Sequence, residues 1–588
     1  MGTSSYSLYE NKVVIRLRDR IADTSERLLS TSIFRDVLTQ YLARLTKQRS
    51  KLLNIFPNKR FDEQQIDRLV ACMQYLTKLP VELVPRLVDG SEPFFKDSIL
   101  LNDFIEGLYN YWRSLHRMII CDSIGDRFDK RPYRTFNDTV EKLMHVVRST
   151  YRDIQENITG NHPRVYRQVT AGAEVAAIAL PRDINYPSDT YKKLNDISII
   201  RQVLIYPPMI FNTPINKRTG EFTRVMTNPL DKINVNEDEW ICYPAKVGPL
   251  VILIYFNLQY FELGFSMSNL FDLADDKDLK RKPDAIYLYG VPTDEPVQPG
   301  VSETIFYDDE ENDILVGTVP FRDQYAYFGY LKKMILTLHN IKMMKRRRLP
   351  FHGAMFNLTL RDHDPLTVLL MGDTGAGKSE TLEALRMIGQ DDVEDLIIIA
   401  DDMGSIEIDA KGRAIGYGTE TGAFVRLDDL QPGYAFGQID RTIIMNPAQV
   451  NARVVLPVTK QEEIVKGYPI DVILYANNYD EVDEQHPIIE RFTDVNKALE
   501  TFRNGAVMSK GTTTTTGLVH TYFANIFGPV QYKEVHEELA KEYFTAYFNQ
   551  NLYVGQMRTR LGLAGVEREG PEASAKALLE LLKNFSNE

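Results

Sequence analysis

At 588 residues the chain exceeds what a single hydrophobic core organises, so two or three domains are expected. Its 44% apolar and 26% charged residues exclude an intrinsically disordered chain. A net charge of −12 argues against nucleic acid as the main partner, because phosphate backbones recruit a basic face.

In chain order, the first twenty residues lack an apolar core of signal-peptide length, and no run of about 18 apolar residues occurs anywhere. Cys72, Cys121 and Cys242 are too dispersed for a disulfide framework or a cysteine zinc site. A cytoplasmic protein without a membrane partner is the expectation. Residues 1–155 read as an all-helical module: ERLLSTSIFRDVLTQYLARL and FIEGLYNYWRSLHRMI repeat apolar residues at spacings of three and four, and Asp62 is a plausible helix start. No chemical constellation stands out there, and a protein partner is the expected use. Residues 156–320 shift to short β-rich runs, EVAAIAL, VGPLVILIYF and DAIYLYG, punctuated by Pro, Asn, Asp and Gly, which predicts a mixed α/β domain.

The third segment, 321–588, carries the chemistry. It predicts a helix over 329–348 ending in the basic run KMMKRRR, read as a solvated helix end. Strands LPFHGAMFNLTL and LTVLLMG follow, then the amphipathic helix ETLEALRMIG, the buried strand LIIIADD, and a closing helix SAKALLELLKNF. The fold class expected is α/β.

LTVLLMG leads into Gly372, Asp373, Thr374, Gly375, Ala376, Gly377, Lys378, Ser379 and Glu380, which satisfy GxxxxGK[ST] between a strand and a helix. Glycines let backbone N–H groups approach phosphate oxygens, Lys378 neutralises the β and γ phosphates, and the Ser379 hydroxyl suits Mg²⁺. Asp401 and Asp402 end a buried strand 22 and 23 residues beyond Ser379, a carboxylate pair suited to a divalent cation on transferring phosphate. No NKxD-like segment reads a guanine base, so a GTPase fits poorly.

GDTGAGKSETLEAL followed by IIIADD resembles HPr kinase, which shares its nucleotide-binding core with the phosphoenolpyruvate carboxykinases. Tyr327, Lys332, Lys333 and, 19 residues on, His352 resemble the Tyr-x4-Lys-Lys helix and Met-His-Cys-Ser-Ala-Asn strand of ATP-dependent phosphoenolpyruvate carboxykinases. Gly353 and Ala354 replace that strand's cysteine and serine. GTETGAFVR, ending at Arg426, VILYANNYDEVDEQHPIIERFT with Arg491, the Thr-rich SKGTTTTTGLVHTYFANIFGP, and VGQMRTRLGL with Arg558 are similar to later stretches of that family. TGEFTR, ending at Arg224, is similar to a segment that supplies a carboxylate-holding arginine.

The resemblance implies a carboxykinase-like P-loop core binding ATP, Mg²⁺ and Mn²⁺. It implies Lys333, His352, Ser379, Asp401 and Asp402 as metal residues, Lys332, Lys378, Arg491 and Asp401 as catalytic, and Arg224, Tyr327 and Lys333 as substrate-binding. The nucleotide would meet residues 372–380, Arg426 and Arg558. The expected reaction converts oxaloacetate and ATP to phosphoenolpyruvate, ADP and CO₂. The Ser379-Glu380 ending keeps open a kinase for a protein serine or small-metabolite hydroxyl, and the helical module keeps open a nucleotide-binding regulatory scaffold.

Overall fold

Segments whose apolar residues recur every second position or run continuously become strands, and those with a period near 3.6 become helices. The computed structural model describes residues 5–17, 22–121, 132–218, 221–293, 302–389, 392–427, 439–510 and 516–585. Mixed sheets and helices make it an α/β protein, and it divides into two compact units: residues 1–181 with 198–207, and residues 182–197 with 208–588.

In the first unit β1 (Ser5–Leu8) pairs antiparallel with β2 (Lys12–Leu17); β3 (His116–Cys121) and β4 (Val175–Leu180) follow in parallel, and β5 (Ile199–Ile205) closes antiparallel to β4. The principal helices are α1 (Ser25–Leu29), α2 (Ser32–Lys47), α3 (Glu63–Leu76), α4 (Ser98–Ser114) and α5 (Pro132–Thr159). Asp62 caps α3 as its spacing predicts: its carboxylate accepts from the Gln65 N–H while the Gln65 side chain accepts from the Asp62 N–H. The Thr31 hydroxyl accepts from the Phe34 N–H and starts α2 afresh.

The region up to 155 is therefore not all helical. KVVIRL and HRMIIC are short apolar runs with both faces buried, and pairing along a sheet satisfies their backbones better than one or two helical turns do. The expected continuous helix through FIEGLYNYWRSLHRMI stops at Ser114.

In the second unit one sheet runs in the spatial order Trp240–Val247, Leu250–Asn257, Ala285–Val291, Ile314–Pro320, Ile305–Asp309, Thr223–Val225. Helix α6 (Phe328–Lys345) is buried nearly all round, as its weak amphipathicity requires. A second sheet is built on the long strand β6 (Leu349–Leu360). Antiparallel neighbours of β6 are β7 (Leu366–Met371), β8 (Val393–Ala400) and β9 (Met403–Ile408). Beyond β7 lie β10 (Val472–Asn477) and β12 (Tyr553–Arg558), both parallel to it, and then β11 (Ile489–Arg491), antiparallel to β12. Helix α7 (Lys378–Ile388) packs on the closing helix α8 (Glu569–Phe585) through Leu382 and Leu385 against Leu578 and Leu582. A four-stranded sheet of Gly422–Arg426, Arg453–Pro457, Ile443–Met445 and Met209–Phe211 completes the unit.

The basic run at the end of α6 is not a merely solvated end. Lys342 lies 2.6 Å from Asp313, Lys345 pairs with Asp308, Arg346 lies 2.6 Å from Asp284, Arg347 pairs with Glu538 and Glu542, and Arg348 with Glu407. No helix among the described residues is long and apolar enough to cross a membrane.

Two buried histidines, His339 on α6 and His536, have their pKa pushed down to about 4, above all by burial. Their unfolded value is about 6.5, so the stabilisation from keeping them neutral is complete above pH 6.5 and is lost as pH falls from 6.5 towards 4, up to about 3 kcal/mol per group. Urea midpoints measured across that interval are expected to fall, and to fall less steeply in His339→Gln; an unchanged slope in that variant refutes the assignment.

Candidate functional site

The parallel strands β7, β10 and β12 end together: Met371 lies opposite Tyr475, and Tyr475 opposite Gln556. Their carboxyl edge is where sheets of this kind receive ligands. Residues 372–379 leave β7 at that edge and enter α7. Gly375 and Gly377 take φ of 80° and 95°, and a Cβ on Gly377 would lie 2.6 Å from the Thr559 Oγ1, so only glycine fits. Asn478 Nδ2 donates to the Gly375 carbonyl at 2.9 Å and Thr559 Oγ1 to that of Ala376 at 2.6 Å, fastening the loop to the ends of β10 and β12.

Lys378 curls onto its own loop, its Nζ donating to the carbonyls of Gly372 (2.6 Å) and Asp373 (3.0 Å), and burial pushes its pKa down. Asp373 accepts from the Thr374 N–H at 2.7 Å. Ser379 is exposed on the first turn of α7 beside the half-buried Glu380.

Neighbouring strands bring a second group to the same edge. The Gly372 N–H donates to the His352 carbonyl at 3.1 Å, and the Gly353 N–H to that of Asp402 at 2.9 Å. Asp402 is the hub: Lys332 and Lys333 Nζ both lie 2.8 Å from its Oδ2, and His352 Nε2 lies 2.9 Å from its Oδ1. Burial alone would raise the Asp402 pKa, but above all Lys332 and Lys333 hold it well below the carboxylate range. Lys332 also lies 3.0 Å from Glu420, whose burial pushes its pKa up to about 7. Burial lowers the pKa of Lys333 and raises that of Asp401, which lies in the field of Lys332 and Lys378.

The His352 Nδ1 faces the Ala524 carbonyl, in a turn where Phe523, Ala524 and Asn525 all take positive φ. Nδ1 is thus the donor, and Nε2, buried and without a hydrogen-bond partner, is aimed at a carboxylate. That opposition is relieved by a proton on Nε2 or by a cation shared with Asp402, so the pair fits a divalent metal. No group of three or more His, Cys, Asp or Glu gathers among the described residues, and the Lys333 amine or substrate oxygens would complete the coordination.

Tyr327 is buried beside the cluster; burial raises its pKa against the opposing pull of Arg453, Lys332 and Arg218. Arg218 and Lys333 both lie over the Phe527 ring, at 5.4 and 4.4 Å, while Arg453 and Lys332 lie over Phe424, at 5.4 and 5.9 Å. Arg218, Arg453 and Glu420 were not among the expected site residues. Arg453 was legible only as an arginine inside the apolar strand RVVLP, and Arg218 only as a second arginine six positions before Arg224.

Three expected residues stand elsewhere. Arg224 is spent at 3.0 Å from Glu310 and 3.8 Å from Asp308, stacked on Tyr532, because Thr223–Val225 pairs with Ile305–Asp309. Arg491 is exposed at the end of β11, donating to the Asn551 carbonyl (3.0 Å) and Oδ1 (2.6 Å). Antiparallel pairing carries β11 from Met557 back to Gly555, away from the loop edge, so Arg491 does not join the site. Arg558 is buried in a structural pair, donating to the Pro487 carbonyl and to Glu490 at 2.7 Å each. Arg426 faces Arg453 across the strand pair Gly422–Arg426 and Arg453–Pro457. Residues 511–515 of the Thr-rich segment lie outside the described residues.

Compared with known protein families and with curated proteins, the chain matches none.

Proposed function

We propose that the protein transfers the γ-phosphoryl group of ATP, and that oxaloacetate is its partner substrate, yielding phosphoenolpyruvate, ADP and CO₂ on a carboxykinase-like core. One observation carries this reading: a phosphate-type loop with a buried lysine shares its sheet edge with the Lys332, Lys333, His352, Asp402 cluster.

In this reading Lys378 leaves the carbonyls of Gly372 and Asp373 for the β and γ phosphates. Arg218 and Arg453 hold the substrate carboxylates, with the Tyr327 hydroxyl between them. The bond to the departing carboxylate breaks, its electron pair forms an enolate, and the enolate oxygen attacks the γ phosphorus as the β–γ bridging bond breaks. Lys332, beside that oxygen, stabilises the growing negative charge. Mg²⁺ or Mn²⁺, held by His352 Nε2, Asp402 and the Lys333 amine, with a nucleotide ion on Ser379, would supply Lewis-acid polarisation.

Purified protein with ATP, Mg²⁺, Mn²⁺ and oxaloacetate is expected to form phosphoenolpyruvate, and with phosphoenolpyruvate, ADP and bicarbonate to run in reverse. Failure of both reactions refutes the oxaloacetate assignment. A kinase acting on a protein or metabolite hydroxyl is the second reading, favoured by Asp401, a half-buried carboxylate of raised pKa suited to accept a hydroxyl proton. ATP consumption that appears only with added cell extract supports it.

The arginines separate by position. Arg218→Ala is expected to lower kcat/KM for the carboxylate substrate about 10- to 100-fold, the loss of a charged hydrogen bond, whereas Arg491→Ala stays within about 3-fold. Steady-state kinetics of both variants decide it, and the reverse ranking overturns the placement.

A further inference from the structure

The apolar core of the first unit is in two parts. Leu29 of α1, Val37 of α2, Ile105 of α4 and Ile154 of α5 belong to a cluster among the helices, whereas Leu17 of β2 and Leu143 of α5 belong to a separate one against the sheet. Helix α5 thus runs from one part to the other, its first half on the sheet side and its second half on the helical side. Compact domains ordinarily have one contiguous core, so the division asks for a cause.

The cause is a concavity of about 850 Å³, and all six of those residues line it. Its wall is drawn from β1, β2 and each of the helices α1 to α5, so the space is set among the elements of the unit and not along one exposed face. Protein interiors are close-packed, and open space of this size is characteristic of ligand pockets, which span about 300–1,000 Å³.

The wall offers an occupant little but apolar surface. Its polar side chains are spent locally: the Ser30 hydroxyl donates to the Glu26 carbonyl, Thr31 to that of Leu28, and Thr150 to that of Val146, each at 2.7 Å. Trp112 Nε1 donates to the Ala171 carbonyl at 2.7 Å, and the Tyr6 hydroxyl to Asp36. Arg27, the one charged residue among the described residues of the wall, is exposed and pairs with Asp23 at 2.8 Å. A charged group placed inside would therefore lose its water and gain no counter-ion, which excludes an ionic ligand. Phe34, Tyr109 and Trp112 add aromatic surface, which favours hydrocarbon chains and rings alike.

We propose that the first unit binds an uncharged hydrophobic small molecule in this concavity, where it joins the two parts of the core. The unit is then a receptor whose packing is completed by its ligand. This site is separate from the loop of residues 372–379, and it stands whatever reaction occurs there.

N-phenyl-1-naphthylamine, an uncharged fluorescent hydrophobe, tests this with the full-length protein. Saturable enhancement is expected, with dodecanol displacing the probe at least about 10-fold more effectively than dodecanoate at pH 8, because the carboxylate would be buried unpaired. Dodecanol is also expected to raise the melting temperature of the unit. Val147→Phe from α5 and Leu28→Phe from α1 each extend a ring into the concavity, and each is expected to weaken the probe about 10-fold or more by occupying its volume. Thermal melts show which variant folds, and either one is sufficient if the other does not. The proposal is overturned by an absence of saturable binding, by dodecanoate competing as well as dodecanol, or by wild-type probe affinity in a folded variant. Enhancement that falls as protein concentration rises would place a second copy of the chain in the concavity and overturn it too.

Discussion

Asp402→Asn is expected to lower stability by about 3–5 kcal/mol and to lower turnover at least about 100-fold. The substitution keeps the shape of the side chain and removes its charge. Asp402 is the shared counter-ion of Lys332 and Lys333, and Lys332 is 1% exposed, so the variant leaves a buried and a half-buried cation to the more distant Asp401 and to Glu420. Removing one partner of a buried ionic group costs much more than the group's net contribution, because the remaining charge cannot regain water. Guanidinium denaturation and turnover measured on the same preparation test both halves. Adding Lys333→Met to Asp402→Asn is expected to restore part of the stability and none of the turnover. Wild-type stability in the single variant would sink the view of Asp402 as the hub.

Lys378→Ala carries the opposite signature: turnover falls about 10²–10³-fold while the melting temperature holds or rises. The buried ammonium bonds to two neutral carbonyls, and its lowered pKa records that burial disfavours its charge. A cation kept at such cost adds little to the fold and, in the proposed reading, acts when phosphate oxygens replace the carbonyls. Thermal melts and turnover, measured with and without MgATP, separate the roles, and MgATP is expected to stabilise the wild type but not the variant. A variant that melts far below the wild type, or that turns over normally, contradicts the assignment.

Local pattern was enough to read most of the loop edge. LPFHGAMFNLTL is one strand from Leu349 to Leu360, the loop of residues 372–379 lies between β7 and α7, and His352, Asp402, Lys332 and Lys333 meet as the resemblance implied. These residues sit on adjacent strands or on one helix, so short-range rules constrain them. Arg491 and Arg224 failed for a tertiary reason. Both sit on three-residue strands whose side chains are aimed by the partner strand, and a three-residue strand carries too little pattern to reveal its register. Arg218 and Arg453 reach Tyr327 from segments more than 200 residues apart in sequence, a proximity that no local periodicity encodes. Strands β2 and β3, which fall in the segment read as helical, were missed because a six-residue apolar run reads equally as part of a helix.

The fastening of residues 372–379 to Asn478 and Thr559 has a bearing on the order in which this unit assembles. The loop's glycine conformations are held by groups about 100 and 180 residues downstream, and α7 finds its apolar cover in α8, near the end of the chain. Contacts of such separation close late, since the entropy of a long loop is lost before they form. The loop of residues 372–379 therefore reaches its final conformation only after Tyr553–Arg558 has inserted beside Val472–Asn477. In the proposed reading, a nascent chain that already displays the whole motif is still unable to grip ATP, which ties nucleotide capture to completed folding.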